Sequence, residues 1–276
     1  MSEKQQFSVL MSVYIKENPI FLKDAIKSIQ NQTMKPSEII LVEDGPLTSE
    51  LYQVLDQIEA ESEIPVKRYP LEENQGLGLA LRYGVLQCQY DIIARMDTDD
   101  IAVPDRFEQQ IHLMEQENLD LLGGHIAEFI DNPKEVVSYR RVPTQHADIV
   151  TYQRMRSAFN HMTVMFKKNM VLKAGNYEDG LYMEDDLLWL NMIAAGARTG
   201  NVDQILCRVR VGAGMFERRG GLRYLNLYRQ ARQRMLERNQ ISYIEYAKSV
   251  GVQAVVALCP GFVRQFIFVK LLRKSK

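Results

Sequence analysis

The 276-residue chain has only three cysteines, Cys88, Cys207 and Cys259, far apart and without a CxxC pair. That scarcity excludes a disulfide framework and a thiolate zinc site, and it reads as a protein of a reducing compartment. No run reaches the ~20 apolar residues that a transmembrane helix needs. The most apolar stretch, residues 251–272, is interrupted by Gln253, Pro260, Gly261 and Arg264. The opening Ser2-Glu3-Lys4-Gln5-Gln6 lacks a basic segment followed by an apolar one, so no secretory signal is expected and the cytoplasm is the expected compartment. GxSxG, Walker A and HExxH patterns are absent, as are internal repeats and low-complexity tracts. With 46% hydrophobic and 25% charged residues, disordered and collagen-like classes are excluded as well. What is left is a globular chain long enough for one large α/β domain with an extension.

A net charge of −1 conceals a strong asymmetry. Residues 217–276 carry 13 Lys+Arg against 3 Asp+Glu, a net +10, which leaves −11 on residues 1–216. We read the chain as one domain over 1–216 followed by a basic, apolar, helical extension over 217–276. Such a charge excess attracts an anionic surface, either a bilayer, at about 1 kcal/mol per nearby Lys or Arg, or nucleic acid. Val, Leu, Ile and Phe interleaved with Arg264 and Lys270 favour a membrane interface, so nucleic acid is not an expected partner. Packing of a helix pair on the main domain stays open as the alternative.

Periodicity then describes the fold. Residues 7–14 (FSVLMSVY) are a short apolar run, expected as a buried strand. Asn18-Pro19 open a helix with Phe21, Leu22, Ala25, Ile26 and Ile29 at helical spacing, ending near Gln32-Thr33. Residues 38–43 (EIILVE) read as the second strand, broken by Asp44-Gly45-Pro46, and Thr48 caps a helix to about Ala60. Further elements are expected as a strand at 66–69, a helix from about Gly76 to Gln87, a strand at 91–96 (DIIARM), and a helix with Pro104 among its early residues. After a strand at 121–129 the pattern loosens, with a helix at 146–156. A helix from about Glu184 ends at Gly196, and a strand at 205–211 follows. This alternation predicts an α/β fold, a mainly parallel sheet flanked by helices, with ligands beyond the carboxyl ends of the strands. Tyr14, Glu43-Asp44 and the Asp97 to Asp100 run stand at those ends.

Two acidic groups carry the chemistry. Asp97, Asp99 and Asp100 crowd three carboxylates into four residues, where mutual repulsion raises their pKa values unless a divalent cation neutralises them. Oxygen ligands favour Mg2+ or Mn2+, and a solvated turn capping the next helix is the plain alternative. Glu184, Asp185 and Asp186 start a helix, where they serve either as caps in the helix field or as a general base. NQGLGLALRYG (74–84) fails GxGxxG because position 81 is Leu81, so its glycines are expected to allow a tight turn and close packing. His161 reads as a hydrogen-bonded core histidine, and Trp189 as core packing or as an aromatic lining a sugar site.

The ordered set SVLMSVY, ILVEDGP, NQGLGLALRYG, ARMDTDD, NHMTVMF, MEDDLLWL and VRVGAGMFERRGGLRY resembles the inverting family-2 glycosyltransferases of GT-A fold, bacterial enzymes that build capsule, exopolysaccharide and lipopolysaccharide sugars. The resemblance makes 1–216 the catalytic domain. It implies that Val13, Tyr14, Glu17, Glu43, Asp44, Gly76, Asp97 and Thr98 bind the nucleotide, with Asp44 facing the base. Asp97 and Asp99 match the family's DxD motif and would hold Mn2+ or Mg2+ at the diphosphate. Asp185, with Glu184 beside it, matches the catalytic base, and His161, Asp186 and Trp189 fall near the expected acceptor or sugar site. The implied partners are a nucleotide-sugar donor, with UDP favoured, and a glycan or polyprenyl-linked acceptor at the inner membrane face. A nucleotidyltransferase, or a non-catalytic nucleotide-binding partner of another transferase, is the competing reading. Arg82 stands where Asn is common in the family, and of the two acids that the family often shows in the second motif the first is here Glu43.

Overall fold

The computed structural model describes residues 5–179, 183–212 and 220–259. Four parallel strands form one half of the sheet: β1 (Phe7–Val13), β2 (Glu38–Glu43), β3 (Val66–Pro70) and β4 (Ile92–Arg95). They are connected by α1 (Pro19–Gln30), α2 (Ser49–Glu61) and α3 (Leu77–Gln87). The helix starts are locally encoded. Asn18 Oδ1 accepts the Ile20 N–H at 2.9 Å, and Thr48 Oγ1 accepts the Leu51 N–H at 3.3 Å.

The second half holds β5 (Ile101–Ala102), α4 (Arg106–Glu117), β6 (Leu121–Phe129), β7 (Val136–Arg140), α5 (His146–Gln153), β8 (Met165–Lys167), α6 (Lys168–Lys173), α7 (Glu184–Ala194) and β9 (Thr199–Arg210). Among the described residues nine strands make one sheet in the order β3-β2-β1-β4-β8-β6-β9-β5, with β7 on the side of β6. Parallel pairing joins the longer strands, including β6 to β9, while β5, β7 and β8 run antiparallel. The sheet is therefore mixed and mostly parallel.

Several expectations need correction here. The short strands β5, β7 and β8 and helix α6 go unnoticed in the sequence because two to six residues carry too little periodicity. β9 begins at Thr199, six residues before the expected Ile205, since TGNV continues the β6 ladder through two register shifts. Pro104 precedes the N-cap Asp105 and lies outside the helix that follows.

Alternation along the central strands divides the core in two. Val9, Met11, Ile39 and Leu41 pack under α1, α2 and α4, while Leu10, Ile40, Val42 and Ile93 pack under α3, α5, α6 and α7. Burial of both faces explains why these strands read as continuous apolar runs.

Beyond β9, α8 (Gly221–Glu237) and α9 (Tyr243–Leu258) form a helix pair. Met183, Leu187 and Leu190 of the α7 region join Ala231, Met235 and Ile241 in a third apolar cluster. Ser242 and Glu245 form a capping box at the start of α9. The expected basic and apolar stretch at 260–272, the 213–219 part of the VRVGAGMFERRGGLRY motif and the N-terminal Ser2 to Lys4 lie outside the described residues.

α3 crosses the sheet closely at Gly84, where an added Cβ would stand 2.4 Å from Leu10 Cδ1 and 2.9 Å from Val42 Cγ2. Gly84→Val is therefore expected to cost about 1–3 kcal/mol through overpacking. Thermal unfolding should show Tm lower by roughly 2–8 °C, and an unchanged Tm would contradict this packing.

Candidate active site

The strand order places β1 between β2 and β4, so successive crossovers diverge and leave a crevice at the carboxyl ends of β1 and β4. The two loops leaving those ends are tied together: the Thr98 hydroxyl donates to Glu17 Oε2 at 2.5 Å. Val13 is buried opposite Glu43 in the β1–β2 ladder, and Tyr14 is 39% exposed beside it.

The turn at 97–100 is held from both sides. β5 pairs with β9 directly after it, and Asp100 Oδ1 accepts the Arg210 N–H at 2.9 Å. Carboxylate oxygens of Asp97, Asp99 and Asp100 lie within 4.8 Å of one another. Burial and the neighbouring Asp97 and Glu17 charges push Asp99 up to about 7, and burial with the Asp99 and Asp97 charges raises Asp100 well above the usual carboxylate range. A compact set of hard oxygen donors whose charges disfavour one another fits Mg2+ or Mn2+, with Asp97 and Asp99 as the ligands that would hold it.

Beneath the turn lies Arg95, 1% exposed, whose Nη2 meets Asp97 Oδ1 at 2.5 Å. Its Nε and Nη1 have no hydrogen-bond partner among the described residues. Strand alternation turns Arg95 to the same side as Ile93, toward α7, and its charge opposes the upward shifts of Glu184 and Asp185. Glu184 in turn feels Asp97. The charge of one buried guanidinium, ion-paired to Asp97, thus acts on both acidic groups. Sequence reading passed over Arg95, although a charged residue inside an apolar strand, two positions before Asp97 and so on the same face, was a usable signal.

The start of α7 carries Glu184, Asp185 and Asp186 in its first turn. Burial and the Asp186 and Glu184 charges raise Asp185 well above the usual range. Asp186 is held differently, since its Oδ1 accepts from Gln153 Nε2 of α5 at 2.7 Å. Gly78 makes room for this helix start, because an added Cβ there would sit 3.0 Å from Glu184 Cβ and 2.7 Å from the Glu178 carbonyl. Arg82 Nη1 donates to the carbonyls of Tyr177 (2.8 Å) and Gly175 (3.2 Å), while Asn176 Nδ2 donates to the Arg82 carbonyl at 3.0 Å. The residue that departs from the family pattern therefore latches the loop before α7.

Other expected residues have partners within the fold. Both Asp44 oxygens are engaged by the next turn, from the Gln75 N–H (2.7 Å), the Gly76 N–H (3.1 Å) and Asn74 Nδ2 (2.9 Å). These bonds fix that turn and hold the Asp44 carboxylate in place. Gly45 (φ +84°) permits the close approach, its Cβ position being 2.6 Å from the Asn74 nitrogen, and Gly76 (φ +87°) starts α3. Glu43 pairs with Arg68 Nε at 2.6 Å. Trp189 is wholly buried against Phe159, His161 and Tyr177, so it packs the floor and offers no face to a sugar. His161 Nε2 lies 2.9 Å from Tyr177 Oη, and burial keeps its imidazole neutral.

With this geometry in place, comparison with known proteins is decisive. Residues 8–180 match the profile of glycosyl transferase family 2. The chain belongs to that family. The amylovoran biosynthesis glycosyltransferase AmsE of Erwinia amylovora is 38% identical over 265 residues, spanning 96% of this chain and 98% of that one. The UDP-Gal:alpha-D-GlcNAc-diphosphoundecaprenol beta-1,3-galactosyltransferase of Escherichia coli is 36% identical over 270 residues, spanning 98% and 97%. Among solved structures, the mannosyltransferase PcManGT of Pyrobaculum calidifontis in complex with GDP-Man and Mn2+ aligns with a TM-score of 0.61 at 13% identity, over 95% of this chain and 79% of that one. The glycosyltransferase reading and the GT-A-like fold both hold.

Asp99 binds its proton more tightly folded than unfolded. Its share of stability is greatest below pH 4, falls as pH rises toward about 7, and is lost above that. Metal-free protein is thus expected to melt higher at pH 6 than at pH 8, and Asp99→Asn should flatten that slope. A wild-type slope of opposite sign, unaltered by the substitution, would contradict the assignment.

Proposed function

We propose that this glycosyltransferase moves a hexosyl group from a nucleotide diphosphate sugar, UDP-sugar favoured, to a hydroxyl of a lipid-linked glycan during cell-surface polysaccharide synthesis. The reaction inverts the anomeric centre and takes place at the cytoplasmic face of the membrane. One observation carries this reading: a carboxylate cluster fit for a cation and ion-paired to the buried Arg95, whose charge also acts on a separate acid at a helix start. Support comes also from the donor and lipid-diphosphate acceptor in the name of the Escherichia coli relative, and from the Mn2+ in the PcManGT complex.

The chemistry follows from the residues. Val13, Tyr14, Glu17 and Thr98 line the nucleotide side of the crevice, and Asp97 and Asp99 would hold Mn2+ or Mg2+. Held there, such an ion would supply positive charge to the diphosphate leaving group. Asp185 takes the proton of the acceptor hydroxyl as its oxygen bonds to the anomeric carbon, while the bond from that carbon to the phosphate oxygen breaks and UDP departs. Glu184 shares the first turn and adjusts the charge on Asp185. Burial and the Asp186 and Glu184 charges raise Asp185 and so strengthen its carboxylate as a base, and the Arg95 charge opposes that rise. A single displacement needs no covalent sugar–enzyme intermediate.

Calorimetry should show UDP binding that depends on Mn2+ and is lost in Asp99→Ala. Failure of folded protein to bind any nucleoside diphosphate would sink this reading. Asp185→Asn is expected to reduce transfer by about 10²–10⁴-fold while UDP affinity stays as in wild type. Transfer by Asp185→Asn at the wild-type rate, or a product of retained anomeric configuration by NMR, would refute the role given to Asp185.

A further inference from the structure

We propose that the outward face of α9 is a docking surface for an anionic lipid bilayer. This rests on the reading above that the acceptor is lipid-linked, and it assigns the contact to particular residues. Ile244, Ala247, Lys248, Gly251, Val252, Val255 and Leu258 are all exposed, and their spacing puts them on one side of the helix. Val252 is 64% and Val255 68% exposed. The opposite side is committed: Ser249, Val256 and Ala257 are buried, Arg232 Nε of α8 donates to Ser249 Oγ at 3.0 Å, and Tyr246 packs with the α7 cluster.

A helix in water normally turns its charges outward. α9 has two charged residues, and Glu245 is taken by the capping box, so Lys248 alone marks the outward stripe. No acid lies on that stripe. The chain continues from the end of α9 into residues 260–276, which hold Arg264, Lys270, Arg273, Lys274 and Lys276 among Phe, Val, Ile and Leu, again without Asp or Glu. An apolar stripe that leads into an acid-free basic segment complements a surface that is apolar within and negative at its boundary, which is an anionic bilayer. A second copy of the chain would instead bring two extensions of net +10 together.

The placement ties docking to catalysis. Arg238 of the turn after α8 grips Glu178 with both amino groups, at 2.5 and 2.8 Å, and Arg234 Nη1 donates to the Asp179 carbonyl at 3.0 Å. The α8–α9 pair that would lie on the lipid is thus the same unit that buttresses the loop and helix carrying Asp185. A lipid-borne acceptor would be delivered to a site whose frame is set by the membrane contact.

Flotation of the full-length protein with phosphatidylcholine vesicles, with and without phosphatidylglycerol, tests this directly. Wild type is expected to float with the anionic vesicles only. Val252→Glu/Val255→Glu should lower the bound fraction at least tenfold, and Lys248→Glu several-fold, with UDP binding and Tm unchanged because these positions are exposed and away from the crevice. Anionic flotation of the double variant at the wild-type level overturns the proposal, as does failure of wild type to float. A dimeric mass by light scattering that becomes monomeric in the double variant would assign the face to a second copy. A fall in Tm with flotation unchanged would assign it to residues 260–276. Loss of UDP binding in wild type would count against the transferase reading and leave the flotation result standing.

Discussion

The ion pair between Arg95 and Asp97 is the interaction around which the site is organised. A fully buried guanidinium carries a large desolvation cost, and a carboxylate partner only partly removes it. Arg95 meets part of that cost through its ion pair with Asp97 and the nearby Asp100, and its own charge in turn opposes the rise of Glu184 and Asp185. Removing Asp97 leaves an uncompensated buried charge on Arg95, so this pair constrains what is stacked around it.

The scaffold reinforces that constraint from several directions. β5 on β9 and the Asp100–Arg210 bond fix the 97–100 turn, while Arg82, Gly78 and the α8 contacts fix the loop and helix that carry Asp185. A second buried arginine, Arg106, donates to the Arg95 carbonyl at 2.8 Å from the other side of the sheet and has no acidic hydrogen-bond partner among the described residues. Preorganised charge of this kind suits a reaction whose leaving group is a dianionic phosphate, because little reorganisation is needed as negative charge develops.

Much of this was legible in the chain. The central strands are continuous apolar runs because both faces are buried, and Asn18, Thr48 and Gly196 mark helix ends through side-chain caps or left-handed backbone. The acidic groups stood out because clustered carboxylates are costly and rarely accidental. Other features were hidden for physical reasons. β5 and β8 are too short for a period to register, and they exist because a long-range partner strand recruits them. The use of Asp44 to pin the 74–76 turn depends on residues 30 positions away, which no local pattern encodes. Trp189 could be read equally as floor or as wall, and only its complete burial decides for the floor.

Two acidic groups under the charge of Arg95 are proposed to act on one substrate, one holding the cation and the other supplying the base. Crystals grown with Mn2+ and a non-hydrolysable UDP-sugar, measured for anomalous scattering at the manganese edge, test it most directly. The account predicts a manganese peak against Asp97 and Asp99 at the diphosphate, with the Asp185 carboxylate on the far side of the anomeric carbon. A metal bound away from Asp99, or an Asp185 turned from the sugar toward Gln153, would contradict it.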